Sequence, residues 1–300
     1  MGQSVRRILV CLDGSPEGLD LGRDAAGLAR RLDAELVALW GLRRPSPSPA
    51  ETFARGAGPI REVLEHQAAG EEALVSAARA AFAELTASLD LRTDFRAAWD
   101  SASDPLPPAL PGDLLVVAQP RLPGQPDTLA AGRLLLTSER PVLVRTEGGD
   151  LGLRGPVLIC WNGSPAARRA LEDAVPLIPA PGLATLLVVD GAADRRGARD
   201  AAAVLRAAGF EVAVRSVASG AASVAETITA EAERLDAGLI VLGGYSRSPT
   251  LERIFGGVTR SFLVAAPRPL LLSHVPPALA HRIAASTPQP VPDDPAAALR

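Results

Sequence analysis

The phrase Ile8-Leu9-Val10-Cys11-Leu12-Asp13-Gly14-Ser15-Pro16 returns later in the chain as Val157-Leu158-Ile159-Cys160-Trp161-Asn162-Gly163-Ser164-Pro165. Asp24-Ala25 returns at the same offset as Asp173-Ala174. Towards the end of each half, Leu114–Val117 is echoed by Leu239–Leu242, and Arg140-Pro141-Val142-Leu143-Val144 by Arg268-Pro269-Leu270-Leu271-Leu272. The second copy is shorter in its middle. A repeat of this kind restricts the chain to two tandem copies of one domain, which fits 300 residues at the usual domain size. The expected boundaries are 1–147 for the first copy, 154–275 for the second, and a disordered tail over 276–300.

Each copy alternates short apolar runs with helical patterns. Ile8–Leu12 is a continuous apolar run, as suits a strand buried on both faces of a parallel sheet. Ser15 can cap a helix that has Pro16 at its first position, and Leu21, Ala25, Leu28 and Leu32 then recur at helical spacing. Further strands are expected at Glu35–Trp40, Asp94–Trp99, Asp113–Ala118 and Pro141–Val144, with a helix over Arg61–Leu89 and a loop over Arg43–Pro59. The second copy repeats the order: strands at Val157–Cys160, Ala184–Val189, Glu211–Ser216, Gly238–Leu242 and Pro269–Leu272. Its helices are expected at Ser164–Leu177, Asp194–Ala208, Ser223–Leu235 and the latter half of Leu251–Val264. Strands alternating with helices imply a doubly wound α/β fold. The first copy is less complete, because Ser101–Gly112 carries four prolines and no helical pattern.

Composition excludes several functions. A net charge of −3 argues against a general nucleic-acid binder, and 3% aromatic residues are too few for stacking platforms along a strand. No apolar run approaches the ~20 residues of a membrane span, and strand-like sequence begins at Ile8, so the expected compartment is the cytoplasm. All 31 basic residues are arginine, which removes P-loop, Schiff-base and kinase-type lysine chemistry. Cys11 and Cys160 read as buried small hydrophobes. With three scattered histidines they show no metal-ligand spacing.

In doubly wound sheets, ligands bind beyond the carboxyl ends of the strands, where the strand order reverses. In the second copy three segments converge there: Trp161-Asn162-Gly163-Ser164, Val188-Val189-Asp190, and Gly243-Gly244-Tyr245-Ser246-Arg247-Ser248 running on to Gly256-Gly257-Val258-Thr259-Arg260. Glycines let main-chain N–H groups approach an anion. A helix starting near Gly257 adds its positive end, and Thr259, Arg247 or Arg260 can add a hydroxyl or guanidinium. The same glycines also read as ordinary turn residues. Trp161 can stack on a base or pack between layers. Tyr245 can meet a ligand or the other copy.

At these residues the chain resembles the universal stress protein family, over roughly Arg6–Val144 and Gly155–His274. Members open with an apolar strand followed by Asp-Gly-Ser, as Asp13-Gly14-Ser15 does. Nucleotide-binding members carry Gly-x2-Gly-x9-Gly-Ser/Thr after strand four, and the pattern here runs Gly243-x2-Ser246-x9-Gly256-Gly257-Val258-Thr259. The resemblance implies two flavodoxin-like (Rossmann-like) domains, each a five-stranded parallel sheet of order 3-2-1-4-5, paired as an intramolecular pseudo-dimer through their last strands; a homodimer of the whole chain stays open. It implies ATP or a related adenine nucleotide, with Mg²⁺ entering only with the nucleotide. Asn162, beside Gly163 and Ser164, replaces the acidic residue near the nucleoside. Val189 matches the residue packed against the base. Gly243 and Ser246, with Arg247 beside them, match the ribose and phosphate loop, and Gly256, Gly257, Val258 and Thr259 match the phosphate contacts.

In the first copy the corresponding residues are Ala118-Gln119-Pro120-Arg121, and Pro120 and Pro123 cannot donate to an amide cradle. That copy is expected to have lost phosphate binding by this route. The expected function is therefore a stress-response protein whose second domain binds an adenine nucleotide as a regulatory switch, acting on an unknown protein partner without dedicated catalysis. Two alternatives stand beside it: a module acting through protein contacts or another small ligand, and a weak ATP hydrolase using Glu252 or Asp190.

Overall fold

The computed structural model describes residues 4–42, 57–99, 113–122, 129–138, 140–191, 195–244 and 257–275. The expected tail over 276–300 and the proline-rich stretch 101–112 lie outside these residues.

The repeated phrase builds the same strand-to-helix turn twice. Strand β1 (Arg7–Leu12) ends at Asp13, whose Oδ1 accepts from Ser15 N at 3.0 Å and Ser15 Oγ at 2.6 Å. Gly14 takes φ +80°, a conformation that favours glycine. Ser15 then caps α1 (Pro16–Leu32) by accepting from Gly18 N, with Pro16 in the first turn. In the second copy β6 (Val157–Cys160) leads to Asn162, whose Oδ1 accepts from Ser164 N at 3.1 Å, and Gly163 has φ +74°. Ser164 caps α4 (Pro165–Ala174) through Ala167 N. The amide of Asn162 thus keeps the turn-making acceptor of Asp13 without its charge.

The remaining elements of the first copy are β2 (Glu35–Leu42), α2 (Ala57–Thr86), β3 (Thr93–Trp99), β4 (Leu114–Gln119), α3 (Ala131–Thr137) and β5 (Val142–Thr146). Those of the second are β7 (Gly182–Val189), α5 (Arg195–Ala207), β8 (Phe210–Val217), α6 (Val224–Arg234), β9 (Leu239–Gly244), α7 (Gly257–Val264) and β10 (Leu270–His274). The sequence reading names no helix where α3 lies, and α2 starts inside the expected loop. The helix expected over 164–177 ends at Ala174, and 175–177 form a 3₁₀ turn; Pro176 has no N–H to continue the ladder.

All ten strands form one sheet in the order β3-β2-β1-β4-β5-β10-β9-β6-β7-β8. Each half has the order 3-2-1-4-5 with parallel neighbours. The halves are merged rather than separate sheets: β5 and β10 pair antiparallel, Leu143 opposite Leu271. One face of the sheet packs against α1, α2, α4 and α5, and the other against α3, α6 and α7. Leu143 and Leu271 lie in the first core and Val142, Val144, Leu270 and Leu272 in the second, so both cores continue across the seam.

Asp24 and Asp173 explain their own repetition. Asp24 on α1 pairs with Arg145 Nε on β5 at 2.6 Å. Asp173 on α4 accepts from Ser273 Oγ on β10 at 2.8 Å and lies 3.5 Å from Arg169 Nε. Arg145 and Ser273 follow the matched segments 140–144 and 268–272, so both copies tie the first helix to the last strand at one place. Cys11 is fully buried, and burial pushes its thiol up to about 12. Cys160 is partly exposed at the end of β6, and burial of its thiol raises its pKa as well.

Candidate functional site

In the second copy β6 lies between β7 and β9, so the chain reverses its strand order there, with α4 leaving on one face and α7 on the other. The crevice outside the carboxyl ends of β6 and β9 is where such folds hold ligands. Asn162 and Gly163 stand on its rim and are exposed, and Ser164 closes the turn as the α4 cap. Val189, at the end of β7, packs partly against the core on the α6–α7 side of the sheet. Ser246, Arg247 and Gly256, together with Tyr245 and Glu252, lie outside the described residues.

Gly243 and Gly257, the two described glycines of the expected Gly-x2-Ser-x9-Gly-Gly pattern, differ in kind. A Cβ on Gly243 would stand 2.4 Å from Ala167 N and 2.5 Å from Ala166 C. The first turn of α4 therefore requires glycine at the end of β9, whatever binds. A Cβ on Gly257 would meet nothing within 4 Å among the described residues. The first amides of a helix have no intrahelical partner and carry its positive end. Thr259 is only 7% exposed, so most of its side chain packs inward.

Two further sequence candidates have structural roles. Trp161 is 4% exposed and packs in the core between the layers. Asp190 sits at φ +54° and accepts from Ser219 N at 2.8 Å and from Ser219 Oγ at 2.6 Å. These bonds from the Ser219 hydroxyl and amide hold its carboxyl below the usual range. Asp190 thus stitches the turn after β7 to the one after β8. No group of three His, Cys, Asp or Glu side chains that could hold a metal ion occurs among the described residues.

The first copy uses the same place in its sheet differently. Gln119, at the end of β4, donates from Nε2 to Phe262 O at 2.9 Å and Leu263 O at 2.6 Å, and its Oε1 accepts from Ala266 N at 2.9 Å. All three partners are at the carboxyl end of α7, in the second copy. In return, a Cβ on Gly244, the position matching Gln119, would come within 2.9 Å of Leu135 on α3. The base of the degenerate loop has become a contact between the copies. Aligning Val116-Val117-Ala118-Gln119 with Val241-Leu242-Gly243-Gly244 singles out the position, but not its partner 143 residues away.

The sequence matches the model of the universal stress protein family over residues 4–97 and 154–274. Among solved structures, a universal stress protein from Archaeoglobus fulgidus DSM 4304 is similar with TM-score 0.58 and 18% identity, over 91% of this chain and 97% of that one. A protein from Pseudomonas aeruginosa UCBPP-PA14 is similar with TM-score 0.59 and 18% identity, over 93% and 96%. A functionally unknown protein from Pseudomonas aeruginosa PAO1 gives 0.57 and 18%, over 93% and 96%. At this identity the likeness is one of fold, and it spans the whole tandem. No curated protein matches the sequence.

Proposed function

The chain belongs to the universal stress protein family, and from that premise we propose that its second domain binds ATP or a related adenine nucleotide as a regulatory switch. The observation that carries the reading is the start of α7, where a Cβ on Gly257 would meet no described atom within 4 Å. The residues present fit a phosphate there: the main-chain N–H groups of Gly257, Val258 and Thr259 would hold it, with Arg260, exposed on the next position, adding charge. Asn162 on the opposite rim would face the nucleoside with an acceptor oxygen and an amide donor. When bound, the nucleotide would supply negative charge and hydrogen-bonding groups to the crevice. Mg²⁺ would enter only with it. Gln119 fixes the far end of α7, so occupancy at Gly257 would also be felt at the contact between the copies.

A second reading has its own support. Gly243 is explained by its contact with α4 and Gln119 by its contact with α7, so these two positions need no ligand. That favours a module acting through protein contacts. Asp190, a candidate of the hydrolase reading, accepts from Ser219 in the turn after β8.

The test is the small-molecule content of freshly purified protein, released by denaturation and identified by mass spectrometry, beside a Gly257→Trp variant. Adenine nucleotide released by the wild type and lost in the variant supports the switch. Protein that carries none, and whose melting temperature does not move with millimolar ATP and Mg²⁺, overturns it in favour of the contact module.

A further inference from the structure

The outer corners of the two copies are built on one plan but filled differently. The strand registers equate Trp40 with Val188 and Phe95 with Val214. In the first copy the Trp40 and Phe95 rings lie 6.1 Å apart, Phe82 of α2 lies 6.3 Å from Phe95, and the Arg79 guanidinium sits 4.7 Å above the Phe95 ring. The second copy has two valines in place of those rings. Its indole stands one strand over, where Trp161 takes the position of Leu12, and it is buried. The result is a cavity of about 340 Å³ between α5 and the β7–β8 edge. Val188, Ala198 and Val214 give it apolar walls, Ser216 a hydroxyl, and Arg199 and Arg206 its positive charge. Val214 is 44% exposed, so the cavity is reachable from solvent. Arg206 donates to Val212 O at 3.2 Å, while Arg199 makes no ion pair among the described residues.

We propose that this cavity binds a small aromatic carboxylate, its ring on Val188 and Val214 and its anionic group on the arginines. The first copy supplies the precedent: there the protein's own aromatic ring lies under an arginine, and cation–π contact rewards that arrangement. The size is at the lower end for small-molecule sites. Arg199 and Arg206 are exposed, and a guanidinium can hold a carboxylate through two parallel N–H···O bonds when the partner is kept in place. The cavity faces α5, on the opposite side of the sheet from α7, so the site is separate from the proposed nucleotide crevice and does not depend on it.

The test is a titration of the full-length protein by saturation-transfer difference NMR, with phenylacetate as probe and benzyl alcohol as its neutral counterpart. Saturation transfer to phenylacetate is expected in the wild type. Val214→Phe installs the first copy's residue and should abolish it; Val214 is half-exposed, and an unchanged melting temperature verifies the fold. Arg199→Gln should weaken phenylacetate about tenfold while leaving benzyl alcohol unchanged. Absence of phenylacetate binding to the wild type, or undiminished binding by Val214→Phe, overturns the site. Equal effects of Arg199→Gln on the two probes overturn its preference for a carboxylate.

Discussion

Gly243 and Gly257 belong to one sequence pattern yet answer to different forces. Gly243→Ala would drive a Cβ into the main chain of α4, an overpacking that costs about 1–3 kcal/mol. Gly257→Ala meets no described atom within 4 Å and should leave stability within about 0.5 kcal/mol of wild type. Urea denaturation of the two variants checks both. Asp173 shows a different residue-scale effect. Burial of its carboxyl raises its pKa above the ordinary 3.8, against the opposing bonds from Ser273 and Arg169. The folded chain therefore holds this proton more tightly than the unfolded chain does. Stability falls as pH rises from 3.8 through the raised value, and above that value the full penalty stands. Asp173→Asn keeps an acceptor for Ser273 and should flatten this part of the stability–pH curve, read as urea midpoints across the acid range. Glu231 has the opposite sign. Burial works against its charge, but the bonds from Arg215 and Arg234 prevail and hold its pKa down, so its contribution is lost as pH falls.

Among the elements, α7 depends on both copies. It begins at the proposed phosphate site and ends on Gln119 of the first copy. Gln119→Ala removes three hydrogen bonds at roughly 1 kcal/mol each, and should raise hydrogen exchange most at Ala265 and Ala266. If α7 carries the nucleotide, the same variant should weaken binding without touching the ligand. Most elements were legible in the sequence because their signals are local: Ser223, for example, caps α6 in a capping box with Glu226, and Ser223→Ala should cost about 1 kcal/mol of stability in chemical denaturation. Helix α3 was not, since Ala131–Thr137 is seven residues long with no side-chain cap. It is held by burying Leu134 and Leu135, and tertiary packing supplies what so short a helix lacks.

At the scale of the whole molecule, the seam between β5 and β10 makes two repeats into one body. Leu143 and Leu271 face each other there with no exposure, and both cores run through the seam. Leu143→Ala should cost about 2–5 kcal/mol and lower the stability of both copies together, seen by calorimetry as one transition shifted downward. Two transitions, with only the first displaced, would contradict this coupling. No helix among the described residues is long and apolar enough to cross a membrane. The sequence by itself determined the duplication, the alternation of strands and helices, the sheet order through its family resemblance, and both strand-to-helix turns, because these rest on periodicity and on residues within a few positions of one another. Only the tertiary structure decided that Gly243 serves α4, that Gln119 holds a helix of the other copy, that Asp190 belongs to a turn, and that one corner is filled with aromatic rings where its twin is hollow. Each of those is a contact between segments distant in the chain, and the identity of a residue does not reveal which distant surface it will meet.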